Sequence, residues 1–395
     1  MLFEKSEILR RISKFQKNLN RRGIDLAIIH HLADIFYFTG TVENGYLVVP
    51  SEGEALLLVR RNERRAREAT PVGVRRYGKS GELAEGILEV CGGTPRSVGV
   101  AMDVLPVSEY FFLQTKVLPG VKWEDVSYAI RLQRAVKSDA EIDFMKRAAF
   151  IAHRVCEKAA KTIKPGISEW ELCALLEYEA RIHGNLEVVR IRNRRLEITF
   201  GHVLSGSEAA LPSYVDTPTG GPGVCEAFAQ GSGNRVIQTG DFVIVDTMLN
   251  YCGYLNDQTR NFCVGRAPER LKRAFDVSVE MHEIFREMAV PGRSAGEIYD
   301  MLVAHARKRR LGEFFMGYGS EQVPFIGHGI GIEVDEFPFV ARGQKILLDA
   351  GMTIAFEPKF IIPGEGVAGI ENTYVITDSG AKSLAISPEE LVQVG

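Results

Sequence analysis

Residues 245–260 read VDTMLNYCGYLNDQTR. The apolar run Phe242-Val243-Ile244-Val245 ends on Asp246, and a second aspartate, Asp257, follows eleven residues later. Between them, Asn250-Tyr251-Cys252-Gly253 has the composition of a chain reversal. A hairpin centred on Tyr251-Cys252 sets Asp246 directly opposite Asp257. Like charges directly opposite on one sheet face are destabilising, so the pairing calls for a cation between them.

A second stretch repeats the pattern. Residues 351–377, GMTIAFEPKFIIPGEGVAGIENTYVIT, hold two strand-like runs around Pro363-Gly364-Glu365-Gly366. With Gly364 at the apex, Glu357 faces Glu371. Paired carboxylates need a shared proton or a bound cation. A third stretch, PFIGHGIGIEVDEFPF at 324–339, places His328 between two glycines that permit close backbone approach. A lone histidine is more often structural, but beside two acid pairs it reads as a ligand. Asp246, Asp257, His328, Glu357 and Glu371 together offer four hard oxygen donors and one imidazole. That set suits Mn, Co, Fe or Zn rather than a thiolate-selecting centre. Two divalent ions about 3.5–4 Å apart could share a hydroxide nucleophile.

The bulk properties are those of an ordinary soluble globular protein with sizeable cores. The chain has 395 residues, a net charge of -3, 45% hydrophobic and 25% charged residues. No nucleic-acid partner is implied. The basic run Arg190–Arg195 reads as a solvated edge. Six cysteines without metal-site spacing predict reduced thiols and a cytoplasmic protein. The charged start predicts no signal peptide. No apolar run is long enough to predict a membrane span.

The first ~130 residues alternate helical and strand patterns: an amphipathic basic helix over 6–22, then apolar runs at 25–30, 45–50, 54–59, 97–102 and near 117–126. They predict an α/β domain over residues 1–132. Ser138 with Glu141 forms a capping-box signature that opens a second domain, 137–395. That domain contains an echo: IKPGISEWEL at 163–172 and AVPGRSAGEI at 289–298. Each has Pro-Gly followed by Ser-x-x-Glu at a helix start, so a duplicated half-domain with pseudo-two-fold symmetry is expected. Residues 201–240, rich in Gly, Pro, Ser and Thr, are expected to form a lid or wall of the site.

These motifs resemble the metallopeptidase family that includes Xaa-Pro aminopeptidases, Xaa-Pro dipeptidases (prolidases), methionine aminopeptidases and creatinases. The order Asp, Asp, His, Glu, Glu is the family's ligand order, in the contexts GYLNDQTRNF, GHGIGIEV, FEP and IENT. RGIDLAIIHHLADIFYFTG, near the start, resembles the family's creatinase-type N-terminal domain. The resemblance implies an α/β fold with a creatinase-like N-terminal domain and a pita-bread C-terminal domain. It also implies a homodimer and metal-dependent cleavage of a bond next to proline. Glu357 would be the proton shuttle, with His328 beside it. The departures lie in the substrate shell. Ser213 and Asp335 stand where such peptidases usually carry histidines, Gly369 where they carry arginine, and Asn372 where they carry aspartate. His202 is a nearby imidazole that could substitute. An alternative is the same centre acting on a small non-peptide amide or as a lyase. Another is a peptide-binding module without turnover.

Overall fold

The computed structural model describes residues 1–192 and 196–395. Of the basic run, Asn193, Arg194 and Arg195 lie outside the described residues. The chain divides into two units, Met1–Arg134 and Ala135–Gly395.

The first unit is built on a six-stranded sheet. Its strands are β1 (Leu26–Ile29), β2 (Gly45–Pro50), β3 (Leu56–Val59), β4 (Gly73–Arg76), β5 (Ser97–Val100) and β6 (Lys122–Asp125), in the order β4-β3-β2-β1-β5-β6. Leu26–Ile29, Gly45–Pro50 and Ser97–Val100 are buried along their whole length. That is why they read as continuous apolar runs rather than alternating ones. The basic helix spans Lys5–Arg22 and ends on Gly23 with φ 67°. Residues 113–117 are helical, so the last expected strand shortens to Lys122–Asp125.

The second unit opens on helix Asp139–Thr162. Its capping box forms: the Glu141 amide donates to Ser138 Oγ, and the Ser138 amide to Glu141 Oε2 at 2.9 Å. The echo is visible as two helix pairs, Asp139–Thr162 with Glu169–Ile182 and Glu269–Met288 with Ala295–Lys308. Before the second helix of each pair, the turn glycine has positive φ (Gly166, 95°; Gly292, 83°). The following serine makes an isolated bridge, Ser168 to Val236 and Ser294 to Leu347. The two caps differ. Ser168 accepts from the Glu171 amide at 3.1 Å, but Ser294 Oγ donates to the Gln344 carbonyl at 3.1 Å and caps nothing.

Each half contributes a sheet. One contains β7 (Gly201–Ser205), β8 (Phe242–Tyr251), β9 (Tyr254–Val264) and, last in sequence, β17 (Val392–Val394), ordered β17-β9-β8-β7. The other contains β10 (Phe325–Gly329), β11 (Glu336–Ala341), β12 (Thr353–Phe356), β15 (Asn372–Thr377) and β16 (Gly380–Ser383), ordered β11-β10-β12-β15-β16. A two-stranded ribbon, β13 (Phe360–Ile362) with β14 (Gly366–Ala368), extends the β12/β15 hairpin. Apolar clusters fill the space between each sheet and its helices. The sheets meet where the Thr259 and Glu371 amides exchange hydrogen bonds with each other's carbonyls, at 3.3 and 3.2 Å.

The β8/β9 register corrects the expected pairing of Asp246 with Asp257. The reversal falls on Cys252-Gly253, with φ of 52° and 91°. Asp246 therefore pairs with Thr259, and Met248 with Asp257. Positive φ at both central residues is the type I′ hairpin turn. The expected centre would have forced that on Tyr251, an aromatic residue; the actual one puts glycine second. Because Asp257 and Thr259 are two residues apart, both aspartates still share a face as diagonal neighbours. The other hairpin has the anticipated register: Phe356 pairs with Asn372 and Phe360 with Ala368, which leaves Glu357 across from Glu371.

Candidate metal centre

Five side chains converge where the two sheets meet. Asp246 and Asp257 come from β8 and β9, His328 from β10. Glu357 directly follows β12, and Glu371 directly precedes β15. All five are buried, with exposures of 2–6%. Each is positioned through its backbone. The Asp257 amide donates to Thr373 Oγ1 at 3.0 Å, and the Glu357 amide to the Ile326 carbonyl at 2.9 Å. The Glu371 carbonyl accepts from the buried Arg260 guanidinium at 2.9 Å. His328 Nδ1 lies 3.1 Å from the Gly329 carbonyl, so Nδ1 carries the proton there. Its Nε2 then points at the acids, 4.0 Å from Asp257 Oδ2 and 3.9 Å from Glu357 Oε1.

A sixth group, which the sequence reading passed over, sits among them. The Lys359 ammonium donates to Asp246 Oδ2 at 2.8 Å, to Glu357 Oε2 at 2.9 Å and to Glu371 Oε2 at 2.9 Å. Its side chain is 1% exposed. Burial alone would lower its pKa, but the three carboxylates outweigh burial and hold it well above the ordinary lysine value.

The acids respond differently, because burial and neighbouring carboxylates compete with that charge at each of them. Burial pushes Asp246 up, but Lys359 and then His202 more than offset it, so it lies below the usual range. Asp257 has no lysine contact; burial, then Glu371 and Asp246, push it well up. Glu357 is raised to about 7, chiefly by burial. Burial works against a charged His328, yet Asp335, Glu357 and Glu371 raise it.

Two buried carboxylate oxygens, Asp257 Oδ1 and Glu371 Oε1, have no hydrogen-bond partner. Ligand atoms of Asp257, His328 and Glu371 lie within 4.8 Å of one another. Buried polar atoms are normally paired. A divalent ion fits this cluster: Asp257, His328 and Glu371 would hold it, and it would relieve the two unpaired carboxylates.

The acids line a cleft of about 820 Å³, counting space open to solvent. Its walls come largely from residues 196–231 and from Phe325, Val334 and Asp335. The expected wall role of the Gly-rich segment matches this placement.

Models of known families match almost the whole chain. The creatinase/prolidase N-terminal domain matches residues 11–136, and metallopeptidase family M24 matches residues 143–378. The Xaa-Pro dipeptidase of Pyrococcus furiosus is 27% identical over 386 residues, covering 97% of this chain and 99% of that protein. The Xaa-Pro dipeptidase of Pyrococcus horikoshii is 26% identical, covering 97% and 98%. The solved prolidase of P. horikoshii superposes with a TM-score of 0.81 at 26% identity, over 97% of this chain and 100% of that one. The chain belongs to metallopeptidase family M24. It is therefore a hydrolase of the metallopeptidase type, in which the family's pita-bread domain follows a creatinase-type domain along the chain.

Within this M24 chain, the substrate-shell candidates separate. His202 lines the cleft, 3.1 Å from Thr219 Oγ1 and 3.5 Å from Asp246 Oδ2. Burial lowers its pKa, which favours the neutral ring. Asp335 also lines the cleft, held at φ 60°, with Oδ1 3.9 Å from His328 Nδ1. Ser213 does not line it. Its hydroxyl donates to the Ala229 carbonyl at 2.6 Å, which ties the loop to itself. Gly369, with φ 148°, stands across the hairpin from Lys359. A Cβ there would come within 2.9 Å of Lys359 Cα and 3.3 Å of its Cγ. Asn372 is buried and accepts from Arg260 at 2.8 Å, so it belongs to the support beneath Glu371.

Proposed function

We propose that this protein hydrolyses the Xaa-Pro bond at the N-terminus of a peptide or dipeptide, using a divalent metal held by the buried acids and His328. The observation that carries this is the convergence of Asp246, Asp257, His328, Glu357 and Glu371 beneath a cleft, in a chain similar end to end to two Xaa-Pro dipeptidases.

A divalent ion at such a site polarises the scissile carbonyl and lowers the pKa of water. The chain's own residues do the rest. Asp257, Glu371 and His328 Nε2 provide the donor atoms, and the Nδ1 contact with Gly329 fixes the imidazole's orientation. Glu357 stands beside them, with Oε2 on Lys359 and Oε1 facing His328, where a carboxyl can take a proton from water and pass it to the leaving nitrogen. Asp335 in the lining offers a negative partner for a substrate amine, and the neutral His202 ring, also in the lining, offers a hydrogen bond. The six unpaired cysteines support action in the cytoplasm, and the family resemblance supports a homodimer.

The test is cleavage of Xaa-Pro dipeptides and of longer Xaa-Pro peptides by metal-stripped protein, with and without Mn, Co, Fe or Zn. Metal-dependent release of the N-terminal residue is expected, and Asp257→Asn should abolish both cleavage and metal retention. Full activity of that variant, or failure to cleave any Xaa-Pro peptide with metal bound, rules the reading out.

A further inference from the structure

The donor atoms of the centre fall into two sets that do not overlap. Lys359 takes Asp246 Oδ2, Glu357 Oε2 and Glu371 Oε2. Away from the ammonium lie Asp257, whose Oδ1 is unpaired, the unpaired Glu371 Oε1, and His328 Nε2, with Glu357 Oε1 3.9 Å from that nitrogen. The ammonium is saturated, because it has three protons and each meets one carboxylate. The second set is the cluster that fits an ion.

Charge leads to the same division. Once a bound metal has displaced their protons, the four buried carboxylates bring four negative charges into one pocket. A cluster of that kind is stable only when paired. One ammonium and one divalent ion leave a single negative charge, whereas a second divalent ion would turn the net charge positive while competing with Lys359 for the three carboxylates it already holds.

The backbone holds Lys359 where it is. Its amide lies 3.4 Å from Met316 Sδ, and its carbonyl accepts from the Met316 amide at 2.9 Å. Across the hairpin, glycine at position 369 leaves the room that the lysine stem occupies. The lysine and the glycine facing it thus form one feature: a cation delivered from the hairpin into the acid cluster.

We propose that the Lys359 ammonium serves as the second cation of this centre, so that the protein holds one divalent ion, on Asp257, His328 and Glu371, instead of a metal pair. This rests on the metal-dependent reading of the site but not on the choice of an Xaa-Pro substrate. Lys359 is a positioning residue: all three of its protons are engaged, so it fixes the acids and leaves the reacting groups to the ion and Glu357.

The experiment is metal stoichiometry. Stripped full-length protein is titrated with Mn²⁺ by calorimetry, with elemental analysis after desalting and electron paramagnetic resonance of the loaded protein. The wild type should take one ion per chain and show the spectrum of an isolated ion. Lys359→Ala and Lys359→Gly should take two and show exchange coupling, with circular dichroism to confirm folding. A wild type that takes two ions or none, or a folded variant that still takes one, overturns the proposal. Peptide cleavage reads out separately: one ion without Xaa-Pro cleavage defeats the substrate reading alone, and two ions with cleavage defeats this proposal alone.

Discussion

Replacing Lys359 with methionine should unbalance the metal-free protein in a measurable way. Methionine keeps most of the stem's volume and removes only the charge and its three donors. Those donors serve Asp246, Glu357 and Glu371, all at 5–6% exposure or less. Removing one partner from a buried, hydrogen-bonded charge cluster costs about 3–5 kcal/mol, because the remaining charges stay desolvated and unpaired. For a domain of this size each kcal/mol moves the melting temperature by about 2–4 °C. The expected loss is therefore roughly 6–20 °C, measured by calorimetry in the presence of a chelator. Divalent metal should then stabilise the variant more than the wild type. Each occupied site contributes about 2.7 kcal/mol at a hundredfold excess over its dissociation constant, and the variant should have one site more. A metal-free Lys359→Met protein that melts with the wild type would refute the reasoning. It would mean that the ammonium is not what neutralises the cluster.

Three further outcomes follow from other parts of the second unit. His282 is fully buried between the Ile370 carbonyl and the Tyr374 hydroxyl, and burial lowers its pKa to about 3. The unfolded chain takes up that proton near pH 6.5 and the folded one does not. Stability should therefore fall by about 1.4 kcal/mol per pH unit below pH 6.5 until the folded pKa is reached; denaturant titrations of His282→Gln should show a flatter slope there. Ser168→Ala should cost about 1 kcal/mol, since that hydroxyl accepts the Glu171 amide. Ser294→Ala should cost less, because its hydroxyl only donates to Gln344; equal losses in urea melts would contradict the observed caps. Gly369→Ala places a Cβ 2.4 Å from the Pro358 carbonyl at φ 148°. Backbone strain alone should cost on the order of 1–3 kcal/mol, and the displaced Lys359 should lower thermal stability further; an unchanged melting curve would count against the close packing of 359 on 369.

The convergence of the five acid and imidazole side chains was legible in the sequence because Asp246, His328, Glu357 and Glu371 lie within or at the ends of apolar runs and Asp257 follows Asp246 across a reversal. A buried strand has little reason to carry an ionisable group, so its presence there is the signal. The same logic gave the register of the 353–377 hairpin, where a Pro-Gly apex is unambiguous. It failed by one step at residues 245–260. There two adjacent centres, Tyr251-Cys252 and Cys252-Gly253, compete, and the deciding factor is which residue tolerates positive φ. Ser213 was misplaced for a different reason. It sits in an irregular segment, where side-chain direction follows from tertiary hydrogen bonds that no periodicity encodes. The two serines of the repeat show the same effect: identical local signals, but in one copy a backbone carbonyl from elsewhere captured the hydroxyl.

Lys359 is the instructive omission, because the signal for it was present. Residues two apart on an extended strand share a face, so a lysine two positions after Glu357 points wherever Glu357 points. The register that faces Glu357 with Glu371 also faces Lys359 with Gly369. A charged residue with a long stem, directed at an acid cluster and opposed by a residue with no side chain, has one low-energy place for its ammonium: among the carboxylates. Had that face been read as a whole, rather than for its acids alone, the sequence would have predicted a centre with one cation already built in. The number of metal ions would then follow from the balance of charge rather than from the number of ligands.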